Sequence, residues 1–183
     1  MRPLRYNVAA SLDGFIAGPR GEFDWIPHDS AVDFGALFAN VDTVLIGRRT
    51  YEVMLTQGES AWSPTARVYV VSRTLDPAEH PGVTIVRDDP VAIAASLRAE
   101  EGSGDIWLFG GGELFATLLD GGQVDTVEVT VVPILLGGGV PLLPPRTGPH
   151  RMSLTHSQVY PSGMVALHYR VGEQADLTPT SRE

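Results

Sequence analysis

Short runs of β-branched and aromatic residues, closed by Gly, Pro or Asp, alternate with apolar stripes of helical period over the first two thirds of the chain. Residues 6–10, 43–46, 67–71, 83–86 and 106–109 read as strands. Between the first two, Phe34, Leu37, Phe38 and Val41 recur at i, i+3, i+4 and i+7, one face of a helix behind a Ser- and Asp-rich start. Pro90 ahead of residues 91–97 predicts a second helix with proline in its first turn, and residues 113–119 predict a third directly behind glycines. Strands that alternate with helices in this way favour a mainly parallel α/β sheet.

The final third has a different pattern. Residues 124–132 alternate into a strand, a glycine- and proline-rich connection covers 133–149, and two more strands flank Pro161-Ser162-Gly163. In the last of them Val165, Leu167, Tyr169 and Val171 alternate with Ala166, His168 and Arg170, which predicts an antiparallel hairpin with one buried face. The result is a mixed sheet whose ligand belongs beyond the carboxyl ends of its parallel strands. Polar residues 172–183 carry no apolar periodicity and are expected to fray, leaving one domain over 1–171.

A length of 183 residues with 43% hydrophobic content suits one domain with an ordinary core. The absence of cysteine rules out a disulfide framework, a thiolate nucleophile and cysteine-held metal clusters. Lys and Arg number 13 against 22 Asp and Glu, a net charge of −9, and the cations are scattered singly or in pairs such as Arg48-Arg49. Nucleic acid and anionic membrane are therefore not expected as partners. No apolar run approaches the ~20 residues that cross a bilayer, and the start lacks a signal-peptide core, so a cytoplasmic protein is expected. The histidines His28, His80, His150, His156 and His168 have no zinc-ligand spacing, and no metal is expected.

Three strand ends carry candidate chemistry. Gly110-Gly111-Gly112 follows a strand and opens a helix, where a glycine turn lets backbone N–H groups approach an anion. The same glycines also serve a tight turn without any ligand. They are not a dinucleotide fingerprint, because Phe115 stands where a third glycine belongs. Gly47-Arg48-Arg49-Thr50 offers two guanidinium groups and a hydroxyl at a second strand-to-helix step, and Ser72-Arg73 repeats these ingredients at a third. Together they describe a groove for a ligand with several phosphates.

Ala10-Ser11-Leu12-Asp13-Gly14-Phe15-Ile16-Ala17, Gly47-Arg48-Arg49-Thr50-Tyr51-Glu52, Ser72-Arg73, Phe109-Gly110-Gly111-Gly112-Glu113-Leu114 and Pro133-Ile134-Leu135-Leu136-Gly137-Gly138-Gly139 occur in this order. With these motifs the chain resembles the dihydrofolate-reductase-like superfamily, and within it the RibD C-terminal reductase domain. The resemblance implies a three-layer α/β fold: a mixed, mainly parallel central sheet, helices on both faces and a C-terminal antiparallel hairpin. It implies NADPH lying across the strand ends. Gly110, Gly111 and Gly112, continued by Glu113 and Leu114, would meet the pyrophosphate, with a cis peptide between Gly110 and Gly111. Gly47, Arg48, Arg49 and Thr50 would bind the adenosine-side phosphates, Ser72 and Arg73 the 2′-phosphate. Ala9, Ala10, Asp13 and Gly14 would lie beside the nicotinamide.

The activity implied is hydride transfer to a small heteroaromatic molecule, pyrimidine- or pterin-like, such as 5-amino-6-ribosylamino-pyrimidinedione phosphate in riboflavin biosynthesis. Dihydrofolate reductase and a non-catalytic NADP-binding protein are the alternatives. The motifs of a zinc deaminase are missing. Trp25-Ile26-Pro27-His28-Asp29 resembles the family's tryptophan, proline and acid, which points to Asp29 as the active-site acid. Asp33, one turn before Leu37, is the rival. Either aspartate also suits a helix N-cap or first turn. The apolar last third and the family likeness together predict a homodimer.

Overall fold

The computed structural model describes residues 1–57, 62–102, 104–145 and 148–172, so the polar segment from 173 onward lies outside the described residues. Period-two alternation produces β1 (Leu4–Ser11) and the short β2 (Phe15–Ala17), followed by α1 (Phe34–Phe38) and β3 (Val41–Gly47). Next come α2 (Arg48–Gln57), β4 (Arg67–Val71), β5 (Thr84–Val86), α3 (Pro90–Ala99), β6 (Asp105–Gly110) and α4 (Gly112–Asp120). The chain continues through β7 (Thr126–Val132), β8 (Val140–Pro141), β9 (Met152–Val159) and β10 (Val165–Val171).

Eight strands form one sheet in the order β5-β4-β3-β6-β1-β7-β10-β9. From β5 to β7 every neighbouring pair is parallel; β10 and β9 then add an antiparallel hairpin. A small antiparallel pair, β2 with β8, stands apart from this sheet. The fold is the mixed, mainly parallel α/β architecture expected from the sequence.

Helices cover both faces. On one, Leu4 and Tyr6 of β1 and Ile106 and Leu108 of β6 meet Leu97 of α3 and Leu114, Phe115 and Leu118 of α4. The helical spacing of these α4 residues turns one stripe inward, and each fully buried side chain contributes about 1.5–3 kcal/mol. On the other face Val44, Ile46, Val70 and Trp107 pack with Tyr51 and Met54 of α2 and Phe38 of α1.

Two elements depart from expectation. The apolar stripe predicted one helix reaching Val41, yet α1 ends at Phe38 and Val41 opens β3, paired with Asp105. A helix of five residues has little stability of its own, and β-branched Val41, Thr43 and Val44 gain more from the strand ladder. Phe38 nevertheless anchors α1 by stacking on Trp107 at 3.9 Å, whereas Phe34 is 61% exposed. In β10 the predicted face of Val165, Leu167 and Tyr169 is only half-buried, because of that row the cluster under α3 and α4 takes in Val171 alone. The fully buried position is Ala166, on the opposite face beneath Trp25, Ile26 and Val32.

Candidate functional site

The carboxyl ends of β4, β3, β6 and β1 lie side by side, and three of the sequence motifs meet there. A Cβ built on Gly47 would stand 3.5 Å from the Gly110 carbonyl oxygen and 3.6 Å from the Gly111 nitrogen. One built on Gly111 would stand 3.1 Å from the Thr50 Oγ1. At Gly112 it would run into the Pro141 carbonyl oxygen of β8. The start of α4 thus lies against the first turn of α2 and the small sheet, and at Gly112 the backbone of β8 excludes a side chain. Gly110 has φ +126°, open to glycine alone, and the Gly110–Gly111 peptide is cis, as the resemblance implied. Gly111 is the N-cap of α4 and, having no side chain, supplies no side-chain cap to the first helical turn. Glu113 and Leu114 occupy that first turn, Leu114 buried and Glu113 exposed.

Around this junction the cations differ. The Arg48 guanidinium is held by both oxygens of Glu52, at 2.8 and 2.9 Å, which satisfies its charge within α2. Arg49 and Arg73 are exposed and form no ion pair with a described residue. Ser72 is buried: its N–H donates to Val86 O at 2.9 Å, and its Oγ accepts the N–H groups of Thr74 and Leu75 at 3.2 and 3.1 Å. Ser72 therefore builds the turn that carries Arg73 outward. Arg87, one residue past β5, donates to Leu75 O at 2.9 Å and brings another guanidinium to the same turn. Sequence reasoning missed Arg87, although the strand-end criterion applied to β5 would have found it.

Ala9 and Ala10, just before the last residue of β1, point to opposite faces, Ala10 in the core and Ala9 half-buried in the cluster of Trp25, Ile26 and Val32. Beyond them the Asp13-Gly14 turn is stitched to the glycine-rich connection. Ser11 Oγ donates to Asp13 Oδ1 at 2.6 Å, and Asp13 accepts the Leu136 and Gly137 N–H groups at 3.1 and 2.7 Å. The Ser11 hydroxyl, with these N–H groups, holds the Asp13 carboxyl below the usual carboxylate range. Gly14 takes φ +84°, and its carbonyl accepts the Leu142 N–H at 2.9 Å.

Asp29 and Asp33 have separate hydrogen-bond partners. Asp29 Oδ1 accepts the Ala31 N–H at 2.9 Å and Oδ2 the Ser162 N–H at 3.0 Å; hydrogen bonding by the Ser162 side chain leads the causes that depress its carboxyl. Asp33 is the N-cap of α1, its Oδ1 accepting the Ala36 N–H at 2.9 Å. It follows directly on Val32, which packs beside Ala9.

Two further features of this sheet face were not legible in the sequence. Phe109, half-buried one residue before the glycine turn, is bracketed by Trp62 at 5.6 Å and Trp107 at 4.7 Å, an aromatic wall one strand from Ala9. Glu128 is 5% exposed and receives Arg5 Nε and Nη2 and Asn7 Nδ2, each at 2.9 Å. Burial would push its carboxyl up; the hydrogen bonds from Arg5 and Asn7 outweigh this and bring it down. Among the described residues no group of three His, Asp or Glu side chains could hold a metal ion, and no helix is long and apolar enough to cross a membrane.

The model of the RibD C-terminal domain matches residues 2–166. The Bacillus subtilis uncharacterized protein YwjB is 31% identical, with 88% of this chain and 94% of that protein covered. A putative riboflavin biosynthesis protein from Shewanella sp. PV-4 superposes with a TM-score of 0.78 at 30% identity, over 94% of this chain and all 100% of the other. Dihydrofolate reductase from Enterococcus faecalis, solved as a complex with NADP(H), shares the fold at 18% identity, with a TM-score of 0.68 and coverage of 93% and 97%.

Proposed function

The chain belongs to the RibD C-terminal domain family, a family of reductases, and from that premise we propose that it is an NADPH-dependent oxidoreductase of the cytoplasm, reducing a carbon–nitrogen double bond in a pyrimidine- or pterin-like substrate. The observation that carries this reading is the junction of Gly47, Thr50 and Gly110–Gly112 at adjacent strand ends. Backbone, not side chain, faces a ligand there, as close approach to a pyrophosphate requires. The exposed guanidinium groups of Arg49, Arg73 and Arg87 near the outer strand ends fit a ligand with a further phosphate on its adenosine half.

When bound, NADPH supplies a hydride. The chain's own residues bind, orient and exclude water. Gly110, Gly111, Gly112 and the first turn of α4 bind the pyrophosphate; Arg49 and Thr50 face the adenosine-side phosphates; Ser72 holds Arg73 toward the 2′-phosphate. Ala9, with its small side chain, leaves room for a ring over β1, and the Asp13-Gly14 turn fixes the β1 end of that site through Leu136 and Gly137. Phe109 and Trp62 offer aromatic surface to a planar substrate. Asp33 is the substrate-side acid: its Oδ1 caps α1, leaving Oδ2 for a ring N–H, whereas both oxygens of Asp29 are taken.

Following NADPH absorbance with the riboflavin-pathway pyrimidine and with dihydrofolate tests the proposal. Turnover of the pyrimidine supports it, turnover of dihydrofolate alone favours a dihydrofolate reductase, and tight NADPH binding with neither turnover favours a non-catalytic NADP-binding protein. We further propose a homodimer through the hairpin. Met152, Leu154 and Val159 are exposed on the last strand of the sheet, where a second copy would cover apolar surface. Light scattering that returned a monomer mass at micromolar concentration would refute it.

A further inference from the structure

Between Ala17, where β2 ends, and Phe34, where α1 begins, the chain runs without helix or strand. Its internal hydrogen bonds are local: Gly18 N–H to Glu22 O, Gly21 N–H to Gly18 O, Ile26 N–H to Phe23 O, Val32 N–H to Asp29 O and the Trp25 indole to Glu22 O. Among the described residues one hydrogen bond ties it to a distant element, that of Asp29 Oδ2 with the Ser162 N–H in the turn between β9 and β10, 133 positions away. Trp25, Ile26 and Val32 pack on the sheet beside Ala9, Val132 and Ala166, but apolar contact is non-directional and leaves the segment free to slide. A carboxylate that accepts N–H groups on both oxygens is directional and charge-assisted.

We propose that Asp29 is a positioning residue: its carboxylate clasps the segment 23–33 to the hairpin turn at Ser162 and so fixes the wall that Trp25, Ile26 and Val32 present beside Ala9. That this wall borders the bound substrate rests on the functional reading above; the clasp itself does not. It also places the hairpin, at the far side of the sheet, in direct contact with one side of the site. Because the Asp29 carboxyl lies below its ordinary range, the clasp is charged and closed throughout pH 5–8.

The experiment is hydrogen–deuterium exchange on the full chain, parent against Asp29→Ala and Asp29→Asn, at pH 7. Peptides spanning 23–33 and 161–164 should exchange about tenfold faster in both variants, while those from β1, β6 and α4 keep the parent rate. Unchanged exchange in 23–33, or a rise spread evenly over the chain, overturns the clasp. On a turned-over substrate KM should rise about tenfold, with kcat and NADPH affinity within about twofold of the parent. A fall in kcat with the pH profile displaced and exchange unchanged would instead make Asp29 a catalytic acid. Exchange requires no turnover, so loss of the functional reading alone leaves the clasp measurable.

Discussion

Gly111 stands against Thr50, so close that a Cβ on the glycine would lie 3.1 Å from the threonine hydroxyl oxygen. Two motifs, with Thr50 and Gly111 61 positions apart, are thereby one surface. Gly111→Ala should displace the Thr50 side chain and lower NADPH affinity about tenfold, by calorimetric titration, with the fold retained. At Gly112 the obstacle is the Pro141 backbone carbonyl, which cannot rotate aside. Gly112→Ala should cost roughly 1–3 kcal/mol of stability and lower Tm by about 2–4 °C for each kcal/mol. Parent-like behaviour of both variants would separate the glycines from the groove.

Arg73 and Arg87 share the turn after β4, and their loss should act on the phosphate that distinguishes NADPH from NADH. Arg73→Ala should weaken NADPH about tenfold to hundredfold and NADH by less than about twofold, with the difference shrinking in high salt. Arg87→Ala should give a smaller loss, because its guanidinium also holds Leu75 O. Kd values for both cofactors at two salt concentrations decide this, and equal losses for NADPH and NADH would acquit these arginines.

Arg5 compensates a carboxylate that water barely reaches. Arg5→Leu would leave Glu128 buried and unpaired, at a cost of about 3–5 kcal/mol in denaturant unfolding. Glu128 has a folded-state value below its ordinary 4.5, so the stability it confers is full above that pH and is lost as pH falls through the depressed value. In Glu128→Gln the part of the acid destabilisation below pH about 4.5 that belongs to this group should vanish. An unchanged acid limb would contradict the assignment.

His168 gives a second, separate pH dependence. Burial depresses it below 6.5, opposed by Glu128 and reinforced by His156, whose ring lies 5.2 Å away, and by Arg5. An unfolded histidine then binds more protons than the folded one just below pH 6.5, so stability falls on acidification through that range. Tm measured from pH 7.5 to 5.5 should decline in the parent and decline less in His168→Gln. Parallel curves would remove His168 from the account.

The glycines, the strand ends and the hairpin were legible because each rests on local chemistry: turn residues, period-two alternation and apolar stripes at 3.6 spacing. What depended on distant partners was not. Val41 completes a helical stripe yet joins β3, because pairing with β6 outweighs one more helical turn. Asp29 and Asp33 read alike as acids or caps, and only the Ser162 N–H, 133 residues on, distinguishes them. The Arg5, Asn7 and Glu128 network is assembled by the β1–β7 register, in which Asn7 faces Glu128, and no spacing along the chain announces it. The role of Ser72 in the turn was likewise not legible: its Oγ accepts the Thr74 and Leu75 N–H groups, partners that the turn brings to it, and keeps its own O–H to donate.

Cofactor preference of the parent chain decides whether the strand-end groove is an NADPH site. NADPH and NADH are titrated separately into the protein by calorimetry at about 0.1 M salt, without substrate. Saturable binding of NADPH is expected, about tenfold to hundredfold tighter than NADH. Equal affinities, or no binding of either, would contradict it.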